Sequence, residues 1–199
     1  MKEAVINHGL NFIKNNNPNF DDIKMLEIKY GLESLYLTIT KAIIIFSLAF
    51  ILGTFKEMII MLVIFNILRN SGFGLHASKT WICLLSSLLI FILFPLISKY
   101  IIIPQYLQIF LGIISIVLFY LYAPADTAKR PIIKKERRDI LKFKTTIRCI
   151  ILVFIMVLIR NNTLSNLIIF GIYSELILIL PITYKLFNFS YNNYKNYKV

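Results

Sequence analysis

Histidine and cysteine are scarce in this 199-residue chain, with two of each. Cys83 and Cys149 are too few and too far apart to make a disulfide framework. There is no Cys-x-x-Cys, no His-Glu-x-x-His and no histidine cluster, so neither a metal centre nor a metal cofactor is expected. Glycine is sparse too, at seven residues, and none builds a phosphate-binding loop, which argues against ATP-driven work. Charge is thin and lopsided: 10 acidic residues stand against 22 Lys and Arg, for a net charge of +12. That excess is not carried on an aromatic or grooved soluble module, so a nucleic-acid partner is not expected.

What the chain has in abundance is apolar side chains. The hydrophobic fraction is 58% and the mean hydropathy is +0.73, too oily for a soluble domain of this length. Long apolar runs recur from Leu35 to Phe187, which predicts an integral membrane protein. Six spans are expected, at Leu35–Leu52, Met58–Leu68, Trp81–Ile97, Tyr106–Tyr122, Ile147–Ile159 and Leu164–Leu186. The second and fifth look short for a bilayer of about 30 Å. Residues 1–34 read as two short amphipathic helices on the membrane surface, parted by Asn15-Asn-Asn-Pro18, with Asp21 or Asn19 capping the second. Packing on the cytoplasmic face of the bundle is an equal reading of them. The first strong apolar run starts too late for a cleavable signal peptide. The predicted fold is therefore all-α and polytopic: one domain over 1–199, with a bundle over 35–187, a basic cytoplasmic loop over 123–146 and a polar tail over 188–199.

Charge also predicts orientation. With both termini in the cytoplasm, the outer loops keep only Lys56, Lys99 and Arg160, and almost every other basic residue falls inside. Lys134, Lys135, Arg137 and Arg138 then face anionic lipid, or grip an acidic peptide. Glu175, inside the sixth span, must be protonated, paired or turned to a polar cavity, with Asn66 and Lys41 as candidate partners. Cys149 reads as structural and His8 as solvated.

One polar break interrupts the oil, from Arg69 to Cys83, and it holds both a histidine and a cysteine. A thiol and an imidazole close together suggest a nucleophile and its base. On one straight helix, His76 and Cys83 would share a face but lie about 10.5 Å apart along the axis. That is beyond the reach of a proton transfer, so the loop must fold back, as Gly72 and Gly74 allow. Cys83 would then open the third span, where the helix-end potential and an imidazolium both favour a negative sulfur. Each group also has an ordinary reading, the histidine as an interfacial side chain and the cysteine as a small hydrophobe.

Arg69-x-x-Gly72-x-Gly74-x-His76-Ala77, followed by Cys83, resembles the accessory gene regulator protein B (AgrB) family. So does Tyr122-Ala-Pro-Ala-Asp-Thr-Ala-Lys-Arg-Pro131. The resemblance implies a bacterial cell-membrane endopeptidase of quorum sensing. Such an enzyme clips the tail of a small AgrD-like propeptide and helps close the rest into a thiolactone or lactone. It implies Cys83 as nucleophile, His76 as base, and Arg69, Gly72 and Gly74 as supporting residues. It also implies a homodimer; membrane lipids as partners follow from the basic charge, and no cofactor is expected from the motifs that are missing. Asp126 is a weak candidate for a third member, its simpler reading being a turn cap. The rival class is a small transporter or peptide exporter without protease chemistry, with Glu175 and Lys41 lining its path.

Overall fold

The computed structural model describes residues 2–17, 20–75, 79–128 and 130–197. Among these, all regular structure is helical, apart from isolated bridges pairing Phe73 with Ala125 and Thr127 with Arg130. The helices are α1 (Lys2–Asn16), α2 (Asp22–Ile51), α3 (Phe55–Gly72), α4 (Thr80–Ser98), α5 (Gln105–Tyr122), α6 (Lys135–Leu158), α7 (Asn162–Ile179) and a short α8 (Pro181–Leu186). A single 3-10 turn follows at Asn193–Asn196.

The chain forms two compact units, Met1–Leu48 and Ala49–Val199. In the first, α1 runs beside the start of α2. Lys2 Nζ meets Glu33 Oε2 at 3.7 Å, and Gly9 lets Leu32 come close. Asp21 caps α2, its Oδ1 accepting the Lys24 amide at 2.8 Å. The expected second surface helix is not a separate element. Residues 22–51 form one continuous helix of 30 residues, about 45 Å long, because no proline or loop signal parts Glu33 from Leu35. Lys41 consequently lies well inside a helix.

In the second unit α7 is the central helix, packing against α3, α5, α6 and the last turns of α4. Phe94 stacks on Phe170 at 5.3 Å between ring centres, and Phe65 meets Phe91 edge-on at 5.6 Å. The middle of α4, Leu89–Leu93, widens into a π-helical turn just before Pro95. Proline has no N–H to give, and the wider turn absorbs the missing bond.

Polarity in this unit is turned inside out. Along α5, Phe110, Ile113 and Val117 are exposed, while Gln108, Gly112 and Ser115 are buried. Such a helix suits a hydrocarbon solvent and not water. Among the described residues, four helices are long and apolar enough to cross a membrane: α2, α4, α5 and α7. The two segments expected to be short spans belong to longer helices. α3 has 18 residues with Lys56, Glu57 and Arg69 towards its ends, and α6 has 24 with a highly charged start. The expected last span is divided: α7 stops at Ile179, Leu180 is extended, and Pro181 begins α8, as the restriction on a pre-proline residue requires.

Candidate functional site

The break after α3 is shaped by its own arginine. Arg69, in the last turn of α3, bends back over the residues that follow it. Nη1 donates to the Phe73 carbonyl, and Nη2 donates to those of Leu75 (2.6 Å) and Gly74 (3.3 Å). Nη1 also meets Glu175 Oε2 at 3.4 Å, in a pair where Glu175 is fully buried and the Arg69 side chain is 13% exposed. Glu175 is thus paired with Arg69, a partner the sequence did not suggest. Asn66 instead donates to the Leu62 carbonyl on its own helix at 2.8 Å.

The two glycines make room for this clamp. A Cβ on Gly72 would stand 2.9 Å from Glu175 Oε1. Gly74 has φ +92°, and a Cβ there would stand 2.8 Å from both Arg69 Nη1 and the Leu178 carbonyl oxygen. Backbone bonds finish the bracing. Gly74 N–H donates to Ala125 O (2.8 Å), Ala125 N–H to Gly72 O (2.9 Å) and Leu75 N–H to Leu178 O (3.0 Å). The segment leading to position 76 is therefore pinned by α3, by the 123–126 connection and by the end of α7. His76 itself lies outside the described residues.

Cys83 lies in the opening turns of α4, half-buried, with its N–H donating to Lys79 O at 3.1 Å. Its own carbonyl accepts from Ser86 and Ser87 hydroxyls at 3.1 and 2.7 Å. Cys149 is buried against Ser115, with Oγ and Sγ 3.4 Å apart, and His8 is exposed on α1.

The basic stretch is mostly not a loop. Lys135 starts α6, so Lys135, Arg137, Arg138, Lys142 and Lys144 are helical, and only residues 123–134 connect. These residues are good helix formers, and Glu136 and Asp139 offset their charge at the helix start. Lys134, Lys135 and Arg137 are exposed. Arg138 is engaged: Nη1 donates to Ile132 O and Ile133 O at 3.0 and 2.7 Å, and its guanidinium carbon sits 3.8 Å over the Tyr194 ring centre.

The sequence offered no signal for the part played by the C-terminal tail. Asp126 is buried, and its Oδ1 and Oδ2 accept the Asn193 and Tyr194 amides at 2.8 Å each. It caps the turn at 193. The Tyr184 hydroxyl donates to the Asp126 carbonyl at 2.9 Å, and the Tyr191 hydroxyl to Tyr122 O at 3.3 Å. Burial pushes the Tyr191 phenol up to about 12.

These observations define an all-helical membrane protein whose polar break, second connection and tail converge at one end of the helices. Comparison with known proteins is specific. The Accessory gene regulator B family matches residues 6–179. An AgrB-like protein of Clostridium acetobutylicum is 35% identical over 184 residues, covering 92% of this chain and 88% of that one. An AgrB-like protein of Listeria monocytogenes is 37% identical over 180 residues, covering 89% and 87%. Accessory gene regulator protein B of Staphylococcus epidermidis is 30% identical over 166 residues, covering 82% and 84%. No solved structure matches. The chain belongs to the Accessory gene regulator B family, which supports a role in accessory gene regulation and quorum sensing at a membrane.

Proposed function

We propose that this protein is a membrane-embedded cysteine endopeptidase that trims a small AgrD-like propeptide and promotes its cyclisation. Cys83 is the nucleophile and His76 the base. α2 to α7 make six crossings, α1 lies at the interface, and both termini are cytoplasmic, the arrangement that puts most basic residues inside. The whole chain works as a single membrane peptidase domain, paired in a homodimer.

The observation that carries this reading is the clamp. A nucleophile works only if its partner is held in register, and the segment entering position 76 is gripped by a guanidinium, by two backbone bonds with Ala125 and by the end of α7. Cys83 opens the next helix, half-sheltered from water.

In the proposed reaction His76 takes the Cys83 proton, and the thiolate attacks the carbonyl preceding the propeptide tail. The C–N bond breaks, His76 protonates the leaving amine, and the peptide stays on Cys83 as a thioester. A thiol or hydroxyl within the bound peptide then attacks that thioester, giving its proton to His76 and restoring the Cys83 thiol. Exchange of one thioester for another needs no ATP. The tethered nucleophile outruns water through its high effective concentration in a sheltered site. Lys134, Lys135 and Arg137 are free of the engagements that hold Arg138 and offer the charge for an acidic tail.

Cys83→Ala in proteoliposomes should abolish tail release while leaving the protein inserted. A transporter without protease chemistry would tolerate Cys83→Ser; cleavage that persists without Cys83 would end the peptidase reading.

A further inference from the structure

Glu175 stands 106 residues from Arg69, in the last turns of α7. It has no exposed surface. Its Oε2 faces Arg69, and its Oε1 has no hydrogen-bond partner among the described residues and lies 2.9 Å from where a Cβ on Gly72 would stand. A carboxyl at such depth is retained only against a strong cost, which makes it a candidate for a role beyond packing. The geometry around it is directional. Glu175 fixes the guanidinium, the guanidinium fixes the carbonyls of Phe73, Gly74 and Leu75, and Leu75 is covalently joined to position 76. Both glycines of the break are small because this pair fills the space beside them. A lone guanidinium would have a choice of carbonyls. Held by the Glu175 carboxyl group on a packed helix, it has one arrangement.

We infer that Glu175 is a positioning residue of the active centre, acting through Arg69 to set the backbone that delivers the base. The inference rests on the peptidase reading above. It adds to the Arg-x-x-Gly-x-Gly pattern a distant member that the pattern does not contain. Glu175 does not touch the peptide; it determines where the loop stands when the peptide arrives.

The test uses the full-length protein in nanodiscs, with an AgrD-like propeptide as substrate. Glu175→Gln keeps shape and burial but replaces a carboxyl oxygen that faces Arg69 with an amide nitrogen that can only donate. Its kcat should fall by about tenfold or more with KM changed less than about twofold, the signature of lost geometry rather than lost binding. Amide exchange at Gly74 and Leu75 should quicken by about tenfold, since their bonds to Ala125 and Leu178 depend on the clamp. The double variant Arg69→Met with Glu175→Leu guards against simple misfolding, because an apolar pair can replace a buried ion pair without loss of stability. It should fold as the parent does and still cleave poorly. Restored cleavage in that variant would show a merely structural pair and overturn the inference. So would unchanged kcat and unchanged exchange in Glu175→Gln beside an inactive Cys83→Ala, an outcome that leaves the peptidase reading standing. Cleavage surviving Cys83→Ala would overturn both.

Discussion

Removing the Asp126 carboxylate should release the C-terminal tail while leaving the helices in place. The carboxylate accepts two backbone amides at 2.8 Å, from Asn193 and Tyr194, and a third, from Ile132, at a looser 3.4 Å. A hydrogen bond to a charged group contributes about 1.5–3 kcal/mol, so the two short ones together contribute about 3–6 kcal/mol. Part returns when the freed amides reach water. Tyr194 is half-buried and rehydrates easily, whereas Asn193 is 3% exposed and gains water only by leaving its seat. A net loss of about 3 kcal/mol is the reasonable expectation, or roughly a hundredfold in the open-to-closed ratio of the tail. Native-state amide exchange in nanodiscs reads that ratio directly. In Asp126→Ala, Asn193 and Tyr194 should exchange about a hundredfold faster, while amides in the middle of α7 stay unchanged. Asp126→Asn, which keeps one acceptor oxygen, should fall between. Exchange at Asn193 within about threefold of the parent would refute the reasoning, since it would mean that Arg138, Tyr184 and Tyr191 hold the tail without the carboxylate.

Three further outcomes follow from particular contacts. Asn166, fully buried, donates to Ile101 O at 2.7 Å and Ser98 O at 3.3 Å and accepts from Gln108 at 3.0 Å; Asn166→Ala should cost about 1–2 kcal/mol in detergent denaturation, and Asn166→Ala with Gln108→Leu less than the sum of the two single changes. Replacing Lys134, Lys135 and Arg137 by Gln should weaken propeptide binding more in low salt than in high, whereas a salt-independent loss in a binding titration would count against electrostatic capture. Tyr191 tests the tail by pH: its phenol ionises near 12 when seated and near the ordinary 10.0 when released, so its contribution is fully present below about pH 10 and is lost as pH rises through about 12. A spin label at Lys195→Cys, in a background without native cysteines, should gain mobility across that window, and Tyr191→Phe should remove this component of the transition.

Membrane character, helical class and family are all legible in the residues themselves. They depend on local composition and on short motifs, and a run of isoleucine and leucine declares its solvent whatever it packs against. Helix ends are less legible. The boundary at Leu35 marks a change in composition, but the backbone has no reason to stop there, and α2 continues from Asp22 to Ile51. Pro181 does announce a break, and the chain takes it. The engagement of Arg138 could not be read, because its partner Tyr194 is 56 residues away and nothing in the intervening sequence marks the pairing.

Sequence alone therefore determined which stretches are oily, where the thiol and the imidazole fall and which glycines flank them, since each is a property of neighbouring residues. Only the tertiary structure decided that Arg69 turns back onto its own loop, that Glu175 from the central helix anchors it, and that Asp126 is taken up by the tail. Those choices depend on which helix ends meet. That meeting is set by packing between segments as far apart as the 106 residues from Arg69 to Glu175, where no local pattern carries the information.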